Sequence, residues 1–230
     1  MTKKIAILQS NYVPWKGYFD LIRSVDEFIL YDEVQYTKND WRNRNRIKTQ
    51  TGEQWLTIPV RQDRLGQTIS ETRVVDSRWA ARHWKTIANN YTRARHFEVY
   101  AAMVEAWYSE AGVYELLPDI NAFFIREICA TLGITTHITS SRVYELEGDR
   151  VERLVGICQQ AGADVYLSGP AASDYLDETL FTNAGVRVEW MHYDGYPEYT
   201  QLFPPFAHGV TILDLLFNVG PEHAAFMRAR

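Results

Sequence analysis

Cysteine is scarce in this chain of 230 residues, because only Cys129 and Cys158 occur. Two cysteines build no disulfide framework, and these two lack the paired spacing of a structural zinc site. Cys158 follows Val151, Leu154 and Val155 at helical spacing, which places its thiol on an apolar helix face. No electropositive neighbour is evident that would lower the pKa of either thiol, so the sequence disfavours a cysteine nucleophile.

Long apolar runs are also missing, and the runs that occur are far too short to span a bilayer. The first residues, MTKKIAILQS, carry two lysines but lack the apolar segment and cleavage site of a secretory signal. A net charge of -5 and a pI near 5.7 argue against a general binder of nucleic acids or anionic membranes. We therefore expect a soluble, cytoplasmic protein with a small-molecule substrate, no nucleic-acid partner and no integral membrane segment.

The common catalytic motifs are absent as well. The sequence contains no Walker A, GxGxxG, GxSxG or HExxH pattern, which argues against the usual NTPases, dinucleotide enzymes, serine hydrolases and zinc hydrolases. Asp32 and Glu33 are adjacent acids that could hold a magnesium ion, but two acids are a weak basis for a metal site. We predict no metal site, and the sequence leaves the cofactor open.

Aromatic side chains, in contrast, are abundant, with seven Trp and fourteen Tyr. Such rings stack on sugars and bases while their polar tips form hydrogen bonds, although many simply pack in a core. Three of them lie in the segment QSNYVPWKGYF, residues 9–19, between a predicted strand and a predicted helix. We interpret this segment as a ligand-binding loop; the alternative is a structural elbow.

The hydrophobic pattern predicts an α/β fold. Short apolar runs indicate strands at 4–9, 27–32, 135–140, 164–168 and 186–192, and helical spacing appears at 16–25, 78–133, 149–161 and 174–183. A last helix is capped by Thr211. Residues 45–60 are predicted to form a hairpin whose second arm, QWLTIPV, joins the sheet. The expected architecture is a single Rossmann-like domain, residues 1–230, with a mostly parallel sheet, a β-hairpin, and a helical bundle inserted after the third strand at about 78–133.

Open α/β sheets bind ligands at the carboxyl ends of their strands. Three unusual loops leave such ends and are expected to face one cavity. The first loop supplies the candidate binding residues Gln9, Asn11, Tyr12, Trp15, Lys16 and Tyr18. Gly17 in the same loop would permit a close approach of backbone to a ligand.

The second loop begins with Asp32 at the end of the second predicted strand. It supplies further binding candidates, which are Gln35, Asn43, Arg44, Asn45 and Lys48. On an extended arm, the alternation of Arg and Asn puts Arg42, Arg44 and Arg46 on one face and the asparagines on the other. Guanidinium groups suit carboxylate or phosphate oxygens, but a solvated basic face is an equal alternative. The third loop adds Ser168 and Gly169, which precede a predicted helix. Such a position is typical of an anion-binding site at a helix start, but a simple turn between strand and helix is the alternative.

His83, in the middle of a predicted helix, is a candidate acid–base catalyst, and Asp32 is the second catalytic candidate. A lone helical histidine is also often a buried or surface group with satisfied hydrogen bonds. The sequence alone leaves both interpretations of His83 open.

Five segments together resemble the WbqC-like family. They are QSNYVPWKGYF, DEVQYTKNDWRNRNRIKTQTGEQWLTIPV, WAARHWKTIANNY, DVYLSGPAASDYL and YTQLFPPFAHGVTILDLLFNVG, and the resemblance covers nearly the whole chain. Members of this family resemble proteins encoded among genes for O-antigen and other surface polysaccharides. The resemblance implies work on a nucleotide-linked or lipid-linked sugar, or on a group attached to it, and it transfers no established catalytic residue.

A fainter likeness links the first loop to class I nucleotidyltransferases, which carry an HxGH pattern after their first strand. Here Trp15 and Tyr18 stand where the histidines would be, and Gly17 is retained. An indole and a phenol donate hydrogen bonds but offer no positive charge, so ordinary adenylyl transfer is doubtful.

The resemblance thus implies a transferase in surface polysaccharide biosynthesis, most concretely one that transfers an acyl or aminoacyl group to an amino sugar. In this hypothesis the first loop holds the acceptor, Arg44 and Lys48 neutralise its phosphates, and His83 is the general base. The alternatives are a nucleotidyltransferase that uses an NTP and Mg²⁺, and a non-catalytic sugar-binding or scaffold protein.

Overall fold

A computed structural model of the protein describes residues 2–228. The strands within these residues are, in chain order, β1 (Lys4–Leu8), β2 (Glu27–Leu30), β3 (Arg44–Thr49), β4 (Gly52–Thr57), β5 (Val60–Arg61), β6 (Arg73–Val74), β7 (His137–Ser140), β8 (Val165–Ser168) and β9 (Arg187–Trp190). The α-helices are α1 (Lys16–Arg23), α2 (Trp79–Tyr91), α3 (Phe97–Ala111), α4 (Leu117–Thr131), α5 (Arg150–Gln160), α6 (Glu178–Asn183) and α7 (Ile212–Val219). No helix in this part of the chain is long and apolar enough to cross a membrane.

Five strands form one parallel sheet in the order β7-β2-β1-β8-β9. Strand β1, KIAIL, is central and pairs with β2 through Ile5 and Glu27, and with β8 through Lys4 and Val165. Both faces of a parallel sheet are covered by helices, and the three central strands β2, β1 and β8 are accordingly mostly buried, whereas the edge strands β7 and β9 are partly exposed. This architecture confirms the predicted α/β, Rossmann-like fold class.

The two faces of β1 pack against different helices. Ile5 and Ile7 belong to a buried cluster that contains Leu154 of α5 and Phe181 of α6. Ala6, between them, points to the opposite face and belongs to the larger cluster that contains residues of α1 and α4. Because successive side chains of a strand alternate between faces, one short apolar run anchors both helical layers.

The direction in which successive strands are added to the sheet reverses once along the chain. From β1 it winds outward through β2 to β7, and then returns to the other side of β1 as β8 and β9. Connections therefore leave β1 and β8 in opposite directions, and this topological switch point is where doubly wound sheets form a ligand crevice.

The hairpin at 45–60 is present but does not join the main sheet, so that prediction is wrong. Strands β3 and β4 form their own two-stranded antiparallel sheet, with Thr49 opposite Gly52 at the turn. Within β4, Leu56 is the one buried side chain. Such a strand does not supply the two apolar faces that a place in the parallel sheet requires. The helical insertion accordingly follows the second strand of the main sheet, and the strand that comes after it is β7.

Helices α2, α3 and α4 form the insertion, as the helical spacing at 78–133 predicts. Trp79, Ile87 and Tyr91 of α2 are fully buried. They share one continuous core with Phe28 of β2, so the bundle packs directly on one face of the sheet.

Residues 191–210 contain no helix or strand and lead into α7, where the Thr211 side chain accepts a hydrogen bond from the Leu213 N–H. The buried carboxylate of Asp214 accepts hydrogen bonds from Tyr91 Oη (2.8 Å), Tyr199 Oη (2.7 Å) and Gln201 Nε2 (2.9 Å). Burial raises the pKa of Asp214. This residue ties the irregular segment to α2 and α7.

Candidate functional site

A cavity of about 510 Å³ lies at the topological switch point, outside the carboxyl ends of β1 and β8. We call it the crevice. Its polar lining consists of Gln9, Thr37, Asp40, Arg42, Arg150 and Ser168, and its aromatic lining of Tyr31, Tyr166, Tyr175 and Tyr193. The volume falls within the roughly 300–1,000 Å³ of small-molecule sites.

Arg42 holds the rim of the crevice together. Its guanidinium donates to Gln9 Oε1 at 3.3 Å and to Asn11 Oδ1, both in the first loop. Its Nη2 also lies 3.5 Å from Asp40 Oδ2. The side chain is 14% exposed, so a partly desolvated positive charge faces the cavity, where it would attract an anion strongly.

Arg150 provides a second positive charge. It is the first residue of α5, and its Cζ lies 3.4 Å from the centroid of the Tyr175 ring. The ring fixes the plane of the guanidinium through a cation–π contact. Among the described residues that line the crevice, two arginines and one carboxylate carry charge, so its charge favours anionic ligands.

The third loop also lines the crevice, through Ser168 and Gly169. Ser168 Oγ donates to Tyr166 Oη at 3.3 Å. A side-chain carbon added at Gly169 would have Tyr193 Oη, 3.9 Å away, as its nearest neighbour. The backbone at Gly169 is therefore open to a ligand.

Asp32 lies behind the crevice rather than on its surface. It is buried at the carboxyl end of β2, and its Oδ1 accepts a hydrogen bond of 2.9 Å from the Ser10 N–H. Desolvation raises the pKa of Asp32 to about 6, against the opposing effect of that hydrogen bond. Its contacts fix the start of the first loop to the neighbouring strand.

Asn121 of α4 is the residue that joins the insertion to the crevice. It is fully buried, and its Nδ2 donates to Ser10 Oγ at 3.0 Å and to the Arg42 carbonyl oxygen at 2.9 Å. Sequence reasoning missed it, although an amide on the apolar face of α4, between Leu117 and Ile125, was a visible signal. Sequence reasoning also gave no role to Asp40, Arg150 and Tyr193.

The residues of the first loop separate into three groups. Gln9 lines the crevice, and Asn11 and Trp15 line a second cavity described below. Tyr18 is buried, and its hydroxyl donates to the Gln9 carbonyl oxygen at 3.0 Å. Its contact positions the loop backbone.

Lys16 and Gly17 face the protein interior. Lys16 Nζ donates to the Pro197 carbonyl oxygen at 3.1 Å, and desolvation lowers the pKa of this lysine to about 8. A side-chain carbon at Gly17 would lie 2.3 Å from the Trp15 ring. The close neighbour that requires glycine at this position is thus Trp15, within the same loop.

Along residues 42–46 the side chains alternate between two faces, as the sequence predicts. Asn43 and Asn45 are buried, and the arginines are partly exposed. Asn43 Nδ2 donates to the Ile58 carbonyl oxygen at 2.8 Å, and Asn45 Nδ2 donates to the Val13 carbonyl oxygen at 2.8 Å. Asn45 thus binds the hairpin to the first loop, and Asn43 joins the two ends of the hairpin.

The remaining candidates of the second loop lie away from the crevice lining. Gln35 is exposed in an isolated bridge with Thr68. Arg44 lies over the Trp55 ring, with 4.1 Å between Cζ and the centroid. Lys48 is buried and donates to the Pro205 carbonyl oxygen.

His83 lies in the interior of the insertion. Its Nε2 is 3.2 Å from the Thr57 carbonyl oxygen and its Nδ1 is 2.8 Å from Tyr12 Oη. Since a carbonyl only accepts, Nε2 carries the proton and Nδ1 accepts from Tyr12. Tyr12 in turn lies 2.8 Å from Tyr108 Oη. Desolvation lowers the pKa of His83 to about 4, so the ring is neutral at neutral pH.

A second, smaller cavity of about 250 Å³ adjoins the first loop. We call it the aromatic groove. Its lining is Asn11, Pro14, Trp15, Trp41, Asn45, Arg46, His208 and Gly209. Trp41 is 37% exposed and packs against Trp55, with 5.3 Å between ring centroids.

Two comparisons place the chain among known sequences. The profile of the WbqC-like protein family matches residues 9–226. A protein of Mycobacterium tuberculosis, described as uncharacterized protein Rv1507c, is 49% identical over 227 residues, which cover 98% of each chain. No solved structure is significantly similar to the chain.

Proposed function

This chain belongs to the WbqC-like protein family, and we propose that it is a transferase that acts on a sugar carried by a phosphate, either nucleotide-linked or lipid-linked. The observation that carries the proposal is the crevice at the switch point, whose wall combines two arginines with tyrosine rings. Guanidinium groups bind phosphate oxygens through paired hydrogen bonds, and tyrosines offer flat surfaces to a base or a sugar.

Arg42 and Arg150 are the residues that bind the phosphates in this proposal. Arg42 is held by Gln9 and Asn11, and Arg150 by the Tyr175 ring. Both guanidinium groups are oriented by the fold before a ligand arrives, so little conformational entropy is lost on binding.

Acyl or aminoacyl transfer to an amino sugar is the reaction that we propose. The amine attacks the carbonyl carbon of an activated acyl donor, the donor's leaving group departs, and one amine proton passes to a base. Asp40 supplies the carboxylate in the crevice that takes this proton. We favour Asp40 over His83 because Asp40 lines the crevice, whereas His83 lies outside that lining and bonds Tyr12 and Thr57.

Binding measurements test the proposal directly. We expect at least one member of a panel of uridine, thymidine, guanosine and cytidine diphospho-hexoses to raise the melting temperature and to bind in calorimetry. The variant Arg150→Ala should weaken that binding about 10- to 100-fold, as expected for loss of a charge-assisted hydrogen bond. The matched control is Arg187→Ala, at the amino end of β9 on the opposite edge of the sheet.

Each alternative function predicts a different result. Stabilisation by ATP or CTP that requires Mg²⁺, without binding of any sugar nucleotide, would favour a nucleotidyltransferase. Glycan binding without turnover would favour a scaffold protein. An equal affinity in Arg150→Ala and the wild type would refute the assignment of the crevice.

A further inference from the structure

The aromatic groove and the crevice share a wall. The Arg42 guanidinium bonds both Gln9, which lines the crevice, and Asn11, which lines the groove. Trp15 of the groove packs against Tyr193 of the crevice, with 5.3 Å between ring centroids. The two cavities are therefore neighbours, on either side of the Arg42–Asn11 and Trp15–Tyr193 contacts.

The volume of the groove suits part of a ligand rather than a whole one. About 250 Å³ lies below the roughly 300–1,000 Å³ of complete small-molecule sites. The crevice provides the larger volume next to it, about 510 Å³. A single ring joined to a larger anionic group matches this division.

The groove also has the chemistry of a sugar site. A pyranose presents apolar C–H faces and a polar edge of hydroxyls, and an indole ring packs on such a face while its N–H remains available. Trp15 and Trp41 supply indole rings. Asn11, Arg46 and His208 supply the polar groups that fix a ring by its edge.

The arginines beside Trp41 keep this exposed surface in place. Arg46 Cζ lies 5.3 Å from the centroid of the Trp41 ring, and its guanidinium also pairs with Glu53. Arg44 covers Trp55. The Trp41 indole is thus ordered before a ligand arrives, which lowers the entropy lost on binding.

We propose that the aromatic groove is a sugar subsite, which binds the hexose ring of the substrate whose phosphates lie at Arg42 and Arg150 in the crevice. The proposal rests on the proposed function and names the part of the substrate that each cavity holds. In this arrangement the bond between sugar and phosphate lies beside the Arg42–Asn11 contact, between the two cavities.

The variant Trp41→Ala tests the subsite. Calorimetry compares ligands in pairs that differ only in the hexose. UDP and UDP-N-acetylglucosamine form one such pair, and the thymidine, guanosine and cytidine compounds form the others. In the wild type the sugar nucleotide should bind more tightly than the nucleoside diphosphate. Trp41→Ala should weaken sugar-nucleotide binding about tenfold and leave nucleoside-diphosphate binding unchanged, because a stacking contact contributes about one decade of affinity. Trp41→Phe should restore part of the loss.

Trp55→Ala is the matched control, because Trp55 is 41% exposed and adjoins Trp41 but lines neither cavity. An effect of Trp55→Ala as large as that of Trp41→Ala would overturn the assignment to the groove. Equal affinity for the hexose and diphosphate ligands, unaffected by Trp41→Ala, would overturn it as well.

Free N-acetylglucosamine separates this inference from the proposed function. If no nucleotide binds but saturation-transfer NMR detects the free sugar, and Trp41→Ala abolishes that signal, the subsite holds while the phosphate-linked substrate fails. If neither a nucleotide nor the free sugar binds, both proposals fail.

Discussion

His83 offers a test that separates a structural role from a catalytic one, through the pH dependence of stability. The substitution His83→Gln keeps an uncharged polar side chain but removes the titrating group. Burial lowers the pKa of His83 to about 4 in the folded protein, whereas a histidine in an unfolded chain has a pKa of about 6.5. Between these values the unfolded chain binds more protons than the folded one, so acid favours unfolding.

The expected magnitude follows from these two pKa values. At about 1.4 kcal/mol for each pH unit, the interval from about 6.5 to about 4 corresponds to about 3 kcal/mol of unfolding free energy. This contribution is fully present above the unfolded pKa and is lost as the pH falls towards the folded one. All other groups titrate in both proteins, so the difference between wild type and variant isolates His83.

Urea unfolding followed by tryptophan fluorescence at pH 7, 5.5 and 4 measures the effect. We expect the wild type to lose about 3 kcal/mol relative to His83→Gln over this range. Ile87→Val is the control, because Ile87 is fully buried on the same helix and carries no titrating group. Its difference from the wild type should vary little with pH.

A constant difference between His83→Gln and the wild type, within about 0.5 kcal/mol from pH 7 to pH 4, would refute the buried neutral ring. Turnover supplies the second comparison. A general base contributes at least about 100-fold to the rate, whereas a structural histidine leaves the turnover number of the folded variant nearly unchanged. A 100-fold loss in His83→Gln with wild-type stability would establish the catalytic role instead.

Three further substitutions probe the site and its supports. Asn121→Ala removes two buried hydrogen bonds, so urea unfolding should show a loss of about 2–3 kcal/mol in unfolding free energy, and calorimetry should show weaker ligand binding. A loss of unfolding free energy below about 0.5 kcal/mol would contradict the positioning of Arg42 by Asn121. Gly17→Ala places a methyl group against the Trp15 ring, so about 1–3 kcal/mol of stability should be lost, and wild-type stability would contradict the tight contact. Asp40→Asn should lower the turnover number at least about 100-fold without weakening ligand binding, because Arg42 loses a competing carboxylate; unchanged turnover would remove Asp40 as the base.

Local pattern was sufficient for the elements of the main sheet. KIAIL and the other apolar runs are short, are bounded by polar or turn residues and alternate with helical spacing, which together specify a parallel α/β sheet. The same reasoning failed for the second arm of the hairpin. Its apolar residues Trp55, Leu56, Ile58 and Val60 do not reveal whether the partner strand lies in the main sheet or outside it, because pairing is decided by long-range contacts.

The candidate site was likewise only partly predictable from the local sequence. The carboxyl-end rule leads to Gln9, Ser168 and Gly169, which line the crevice. Arg150 was not foreseen, because it starts a helix more than a hundred residues after Arg42 and nothing local marks it. The interior position of His83 also depends on packing, since Tyr12 and Thr57 become its neighbours only after the hairpin and the insertion fold together.

The central position of β1 has a consequence for biogenesis. β1 can pair with β2 soon after both leave the ribosome, because Ile5 and Glu27 are near in sequence, but its other edge has no partner until Val165 has been made. Throughout that interval the apolar KIAIL segment presents a bare strand edge, which is a template for association with other chains. We therefore expect an aggregation-prone stage during synthesis that ends when β8 docks, so slow translation or loss of chaperones should lower the yield of folded protein.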